Sequence, residues 1–371
     1  MQWRIFLAAL TTCLSLLTGP AQALVSCVKA DPAVPVAAPN GAEANRLARL
    51  LAGLATDVAA DEYPAFAATA QAGWRAYEQN FYQPLNTWAM KEVRSPAGAA
   101  GSVAFYPFSG PDLPSMLAIF PAATRVVLMS DQHALRYLDP LALKEPHRSR
   151  ILKQMGEEWT NFGERGFFVT QELNRRGGGF QLTPTMMLMA FAVRLGYEIR
   201  SIQPVCLEAA DLSILPIEAR DARWNSVRLV LRKDGRDSVV DYLQQDLANR
   251  GLSSRTSVRG VIESFSKGPV LLKAASHLPQ QSGFSMLRNA ILKHAPLIVQ
   301  DETGLDYEAM TPNFNVRLYG AYSKPHRLFR EFTNPSLISA YQERSQEVRP
   351  LTFTMGYLKE AGSAIQVATR K

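Results

Sequence analysis

The chain has 371 residues, with 47% hydrophobic and 20% charged side chains. Those are globular proportions, and a mean hydropathy of −0.09 excludes a multi-span membrane protein. The formal charge is +7, from 40 Lys and Arg against 33 Asp and Glu, with no basic run interleaved with aromatics, so nucleic acid is not expected as a partner.

Residues 1–23 read as a secretory signal. Arg4 supplies a short positive region, Ile5 to Leu17 an apolar core, and Ala21-Gln22-Ala23 a small-x-small cleavage pattern. The apolar run falls short of the ~20 residues that cross a bilayer, so no transmembrane span is expected once the signal is removed. Arg4 is the only charge lost with it, which leaves +6. The expected location is periplasmic or secreted. Cys13 lies in the signal, and the mature chain keeps Cys27 and Cys206. An even pair in an oxidising compartment suggests a Cys27–Cys206 disulfide. Leu24-Val25-Ser26-Cys27 also loosely resembles a lipobox, so acylation of Cys27 is the alternative.

Residues 24–42 form a linker rich in Pro and Ala, and residues 43–95 a helical segment. Leu47, Leu50, Leu51, Leu54 and Val58 recur at helical spacing, and Pro64 and Pro84 can each open a further helix. Phe66, Trp74, Tyr77, Phe81 and Trp88 fall on these helices and read as core in preference to an exposed sugar platform.

From residue 96 to 371 the pattern becomes strand and helix in alternation. Val103-Ala104-Phe105-Tyr106 is a buried strand, Pro114 opens a short helix, and Arg125-Val126-Val127-Leu128 is a second strand. That βαβ unit implies parallel strands. A mixed-charge helix follows over 141–162, then a Gly177–Gly179 loop. Thr183-Pro184 caps an apolar helix that ends at Gly196. Tyr197 to Ile202 is a strand. Ser226–Leu231 and Ser238–Leu243 flank Asp234-Gly235 as a β-hairpin, taken as the antiparallel edge of the sheet. A helix from Thr256 to Phe265, a strand at Val270–Lys273, a helix at Phe284–Lys293 and strands at Pro296–Gln300 and Asn315–Tyr319 complete the reading. The expected fold is α/β: an open, mostly parallel, Rossmann-like sheet with a helical N-terminal segment and an antiparallel hairpin.

In such sheets ligands bind beyond the carboxyl ends of the strands. The residues placed there are Ser109, Gly110 and Asp112 after the first strand and Asp131 after the second. Lys273 and Ser276 follow a later strand, Gln300, Asp301 and Gly304 the next, and Tyr319 and Tyr322 the last. Asp112, Ser109, Asp131, Lys273 and Asp301 are the candidate catalytic groups, and Gly110, Ser276, Gln300, Gly304, Tyr319 and Tyr322 the candidate binding groups. Asp112 can serve as base or ligand, or simply cap a helix. Lys273 can pair with Asp112 or Asp301. Ser109 lacks the G-x-S-x-G elbow, with His133 and His277 as conceivable partners. Asp112, Asp131 and Asp301 could hold a hard cation, but neither an EF-hand spacing nor H-E-x-x-H is present, and no metal site is assigned. The first βαβ unit echoes a dinucleotide or methyltransferase layout, with Asp131 where a ribose would be held. Only one glycine stands in its turn, so the echo is read as topology without activity, and no cofactor is assigned.

Tyr106-Pro107-Phe108-Ser109-Gly110-Pro111-Asp112 resembles a motif of an uncharacterised family of bacterial exported proteins and lipoproteins. The likeness continues through Leu272-Lys273-Ala274-Ala275-Ser276, Gln300-Asp301-Glu302-Thr303-Gly304 and Val316-Arg317-Leu318-Tyr319-Gly320-Ala321-Tyr322 to Pro325. It covers most of the chain after about residue 70. It implies export and one continuous domain, and no activity. The family often shows Glu-Pro after the second strand, whereas Asp131-Gln132 stands here, so the resemblance implies no invariant role for that carboxylate.

Two functions stay open. One is an envelope protein that binds, or hydrolyses, a small molecule at the strand-end edge. The other is a non-enzymatic scaffold that meets an envelope component through its N-terminal aromatics.

Overall fold

The structure is a computed structural model. It describes residues 41–93, 102–134, 137–166, 183–207, 214–216, 225–253, 256–358 and 363–371. The signal, most of the linker, Cys27 and the Gly177–Gly179 loop lie outside the described residues.

The N-terminal segment is helical. Helix α1 spans Gly41–Leu51, two residues ahead of the expected boundary. Helix α2, Tyr63–Tyr77, runs through a wider turn at Glu78–Tyr82 into α3, Gln83–Glu92. Strand β1 (Val103–Pro107), α4 (Leu113–Ile119) and β2 (Arg125–Ser130) make the βαβ unit. Helix α5, His147–Arg165, and α6, Pro184–Arg194, follow, the latter capped by Thr183, whose hydroxyl accepts from the Met186 N–H. Then come β3 (Glu198–Leu207), β4 (Ile214–Pro216) and the hairpin β5 (Ser226–Lys233) to β6 (Arg236–Gln244). Helices α7 (Asn249–Ser253) and α8 (Thr256–Phe265) lead to β7 (Val270–Leu272). After that lie α9 (Ser285–His294), β8 (Leu297–Gln300), α10 (Tyr307–Met310), β9 (Phe314–Gly320), α11 (Pro335–Glu343) and β10 (Ala364–Arg370).

Ten strands form one sheet in the order β4-β3-β5-β6-β2-β1-β7-β8-β10-β9. Neighbours from β6 through β2, β1 and β7 to β8 are parallel. On one flank β5, β3 and β4 add antiparallel pairs, and on the other β10 pairs antiparallel with both β8 and β9. The fold is therefore α/β with a Rossmann-like parallel core, as expected. The hairpin is not the edge, because β3 and β4 lie outside it. Strand β10 is an addition to the expected set. Being antiparallel to both neighbours, it leaves β9 parallel to β8, so the end of β9 reaches the same edge as β1, β2, β7 and β8.

Helices cover both faces. One core joins α1–α6 to inward residues such as Tyr106, Leu128, Tyr242 and Ile365, and the other joins α8, α9 and α11 to Phe105, Val127, Leu272 and Ile298. The N-terminal helices thus complete a layer of the sheet. Helix α2 meets α5 at Gly73 and Gly163, where a Cβ on Gly73 would strike the Trp159 carbonyl and one on Gly163 would lie 2.6 Å from the Gly73 carbonyl oxygen. Trp74, Tyr77 and Trp88 are buried, with Trp74 edge-on to Trp159 and Tyr77 stacked on Phe162. Cys206, on β3, is disulfide-bonded.

Candidate functional site

The turn after β1 and the turn after β7 are neighbours, because those strands pair. Asp112 caps α4: its Oδ1 accepts from the Ser115 N–H at 3.3 Å. Its other oxygen, Oδ2, accepts from Lys273 Nζ at 2.9 Å. Lys273 also donates to Ser115 Oγ and to the Gly166 carbonyl, each at 2.9 Å. Three acceptors thus saturate the three N–H donors of the ammonium. Both members of the pair are about 95% buried. Tyr106 donates to the Lys273 carbonyl at 2.8 Å, and burial pushes its phenol well up. Capping and pairing are therefore simultaneous, and Asp112, not Asp301, is the partner of Lys273.

Asp301 belongs to the next turn. It is fully buried, and Oδ1 accepts from the Thr303 N–H at 2.9 Å and the Thr303 hydroxyl at 2.5 Å. Oδ2 accepts from the Ala274 N–H at 2.7 Å. Burial raises its pKa, while these donors favour the charged form. Gly356 presses on it from above: at φ +77° it leaves no room for a Cβ, which would collide with Oδ2. Tyr357, next along, shares a 3.0 Å hydrogen bond with Ser276. The stretch around Gly356 and Tyr357 thus lies across the ends of β7 and β8.

Beside this ordered set stands an unpaired one. Glu302 is 1% exposed and neither carboxyl oxygen has a hydrogen-bond partner. Burial, then the charge of Asp301, raise its pKa well above the ordinary range, so the proton sits on Glu302. Burial pushes the phenol of nearby Tyr322 up to about 12, and any negative charge on Glu302 would push it the same way. Its hydroxyl faces the Asn334 backbone without meeting hydrogen-bond geometry. His277 stacks on Phe332 at 5.3 Å and meets Phe329, tilted, at the same distance. Its Nδ1 is 3.0 Å from Gln280 Oε1 and its Nε2 has no partner; burial lowers its pKa and keeps the ring neutral. Gln280 Nε2 donates to the Glu302 and Gly304 carbonyls, so one side chain links the two turns.

The remaining expected residues divide. Ser276 sits at this edge. Ser109 is buried, its hydroxyl 3.4 Å from the Met129 carbonyl, and no histidine bonds it. Gly110 is a half-buried turn residue beside it. Asp131 is exposed as a residue, its carbonyl accepts from Gln244 at 3.3 Å, and its carboxyl, beside Ser130, has its pKa raised by desolvation. Gln300 folds its amide onto the Leu305 backbone and Gln366, and Gly304 must lack a Cβ to pass it. Tyr319 points to the helical layer, where it donates to Glu92 at 2.9 Å. No cluster of metal-binding side chains occurs among the described residues. The sequence places His277 and Glu302 at the strand ends without assigning either a site role, and gives no sign of Gly356 or Tyr357.

The class defined by fold and edge is a doubly wound α/β protein. Comparison with protein-family models, with curated proteins and with solved structures finds no match.

Proposed function

We propose that this chain is an exported envelope protein that binds a small polar molecule at the carboxyl edge of its sheet, in the turns after β7 and β8. One observation carries the reading. Of ten buried side-chain polar atoms without a partner among the described residues, four belong to Glu302, His277 and Tyr322 at this edge. Unpaired buried polar groups are costly and rare, and call for an explanation. The backbone points the same way: Phe108, Ala274, Ser276 and His277, four of the five non-glycine residues at positive φ among the described residues, stand in the turns after β1 and β7. Such strain gathers at functional sites.

Binding fits the geometry better than hydrolysis. Lys273 has no free N–H and no lone pair to act as a base. Ser109 has no base beside it. Glu302 is a proton donor without a paired nucleophile. Against the scaffold reading, Trp74, Tyr77 and Trp88 are buried, and of its aromatics only Phe81 is half-buried. Export is supported by the pattern of residues 1–23, by the resemblance to exported proteins and by the disulfide at Cys206.

The experiment is a thermal-shift panel on residues 24–371 with divalent metals, phosphates, sugars and cell-wall fragments. A ligand at 100 times its Kd stabilises by ~2.7 kcal/mol. A shift that Glu302→Gln, Tyr322→Phe and Ser276→Ala each reduce supports the reading. A flat panel, or a shift indifferent to all three, refutes it and leaves trapped water as the partner of these atoms.

A further inference from the structure

The parallel strands, numbered along the chain, run 3-2-1-4-5 across the sheet, which puts the topological switch point between β1 and β7. The echo of a dinucleotide or methyltransferase layout thus extends to the whole parallel core. Sheets wound this way hold a dinucleotide in that crevice, its phosphates against a glycine-rich turn and the N-terminus of the next helix. The residues here do not fit such a group. The turn carries Phe108 at φ +59°, its ring against Phe284, and a single glycine. The first turn of α4 is already met by a carboxylate, that of Asp112. The space left between Tyr77, Ser115, Gly166, Lys273 and Gly356 is about 10 Å³. That is scarcely one water.

We infer that the switch-point crevice is occupied by the chain itself. Lys273 is its resident cation, held by Asp112, Ser115 and the Gly166 carbonyl, and the crevice is an ammonium site closed to nucleotides. The inference goes beyond the proposed binding reading and does not depend on it, because it concerns the β1–β7 crevice and not the Glu302 turn.

Two measurements test it. The first is equilibrium dialysis of the wild-type chain against ATP, NAD and S-adenosylmethionine at millimolar concentration. No retention is expected. Saturable binding that Asp112→Asn abolishes overturns the inference. The second is Lys273→Ala, which leaves Asp112 buried without its cation and is expected to lower Tm by roughly 10 °C. Added n-propylammonium, the fragment removed, restores Tm saturably, whereas tetramethylammonium, which has no N–H, does not. Failure of n-propylammonium to act on a folded Lys273→Ala chain also overturns the inference. Should that variant not fold, Asp112→Asn/Lys273→Met removes both charges and serves in its place. It is expected to fold, to show no response to either amine and still to retain none of the three cofactors; a specific response to n-propylammonium, or retention of a cofactor, counts against the resident-cation reading.

Discussion

Glu302→Gln separates a buried acid from a buried spectator. Glu302 is 1% exposed, both its oxygens are unpaired, and Asp301 stands next to it, so its folded pKa lies above its unfolded value. For a carboxyl shifted upward, stability is greatest below the unfolded pKa of about 4.3 and declines as pH climbs towards the folded value. Each pH unit in that window costs ~1.4 kcal/mol, because the unfolded chain has released the proton and the folded one keeps it. Glutamine keeps the shape and cannot ionise. The variant is therefore expected to match wild type near pH 4 and to gain on it steadily as pH rises above the unfolded value, until the folded-state pKa is passed. Asp301 shifts in the same direction, so the difference between the two proteins, not the wild-type curve alone, isolates Glu302. Urea unfolding across that range, followed through the buried indoles of Trp74, Trp88 and Trp159, measures it. A difference that does not change with pH would refute the reasoning, since it would mean that the Glu302 proton is not held in the folded state.

Substitutions at three further positions read other parts of the edge and its support. Asp112→Asn keeps the helix cap and breaks the buried ion pair, so it is expected to cost about 3–5 kcal/mol in urea unfolding; Asp112→Ala adds roughly 1 kcal/mol for the cap, and equal costs would mean that the cap contributes nothing. Gly356→Ala places a Cβ against Asp301 Oδ2 at a left-handed φ and is expected to destabilise by ~2 kcal/mol or more, with faster amide exchange at Ala274, the donor that Asp301 accepts from. Gly163→Ala improves helix propensity by ~1 kcal/mol, yet is expected to lower Tm, because its Cβ would wedge α5 away from the Gly73 backbone of α2.

How much was legible in the chain follows from which contacts are local. Caps and turns are local, so Thr183-Pro184, the Asp234-Gly235 hairpin and the strands before Pro107 and Ser130 stand where spacing put them. Strand β10 is not among the expected strands, although Gly362-Ser363 precedes it and Ile365, Val367 and Thr369 are β-branched at alternate positions; what the sequence could not give is its antiparallel place between β8 and β9. The site divides by the same rule. That Asp112 and Lys273 end strands is a local fact, but their pairing depends on β7 lying beside β1, which strand order decides. Tyr319 also ends a strand, yet its side chain faces the helical layer and Glu92, a partner 227 residues away. Glu302 is the strictest case. In Gln300-Asp301-Glu302 three polar side chains look equivalent. Folding gives Gln300 and Asp301 their partners from the backbone and side chains of this same edge, at Leu305, Ala274 and Thr303, and gives Glu302 none. A residue whose distinction is a missing partner leaves no mark on spacing, composition or charge. It becomes visible only when every neighbour has been accounted for, and for that reason the proposed site rests on the unpaired carboxyl and not on the saturated Asp112–Lys273 pair.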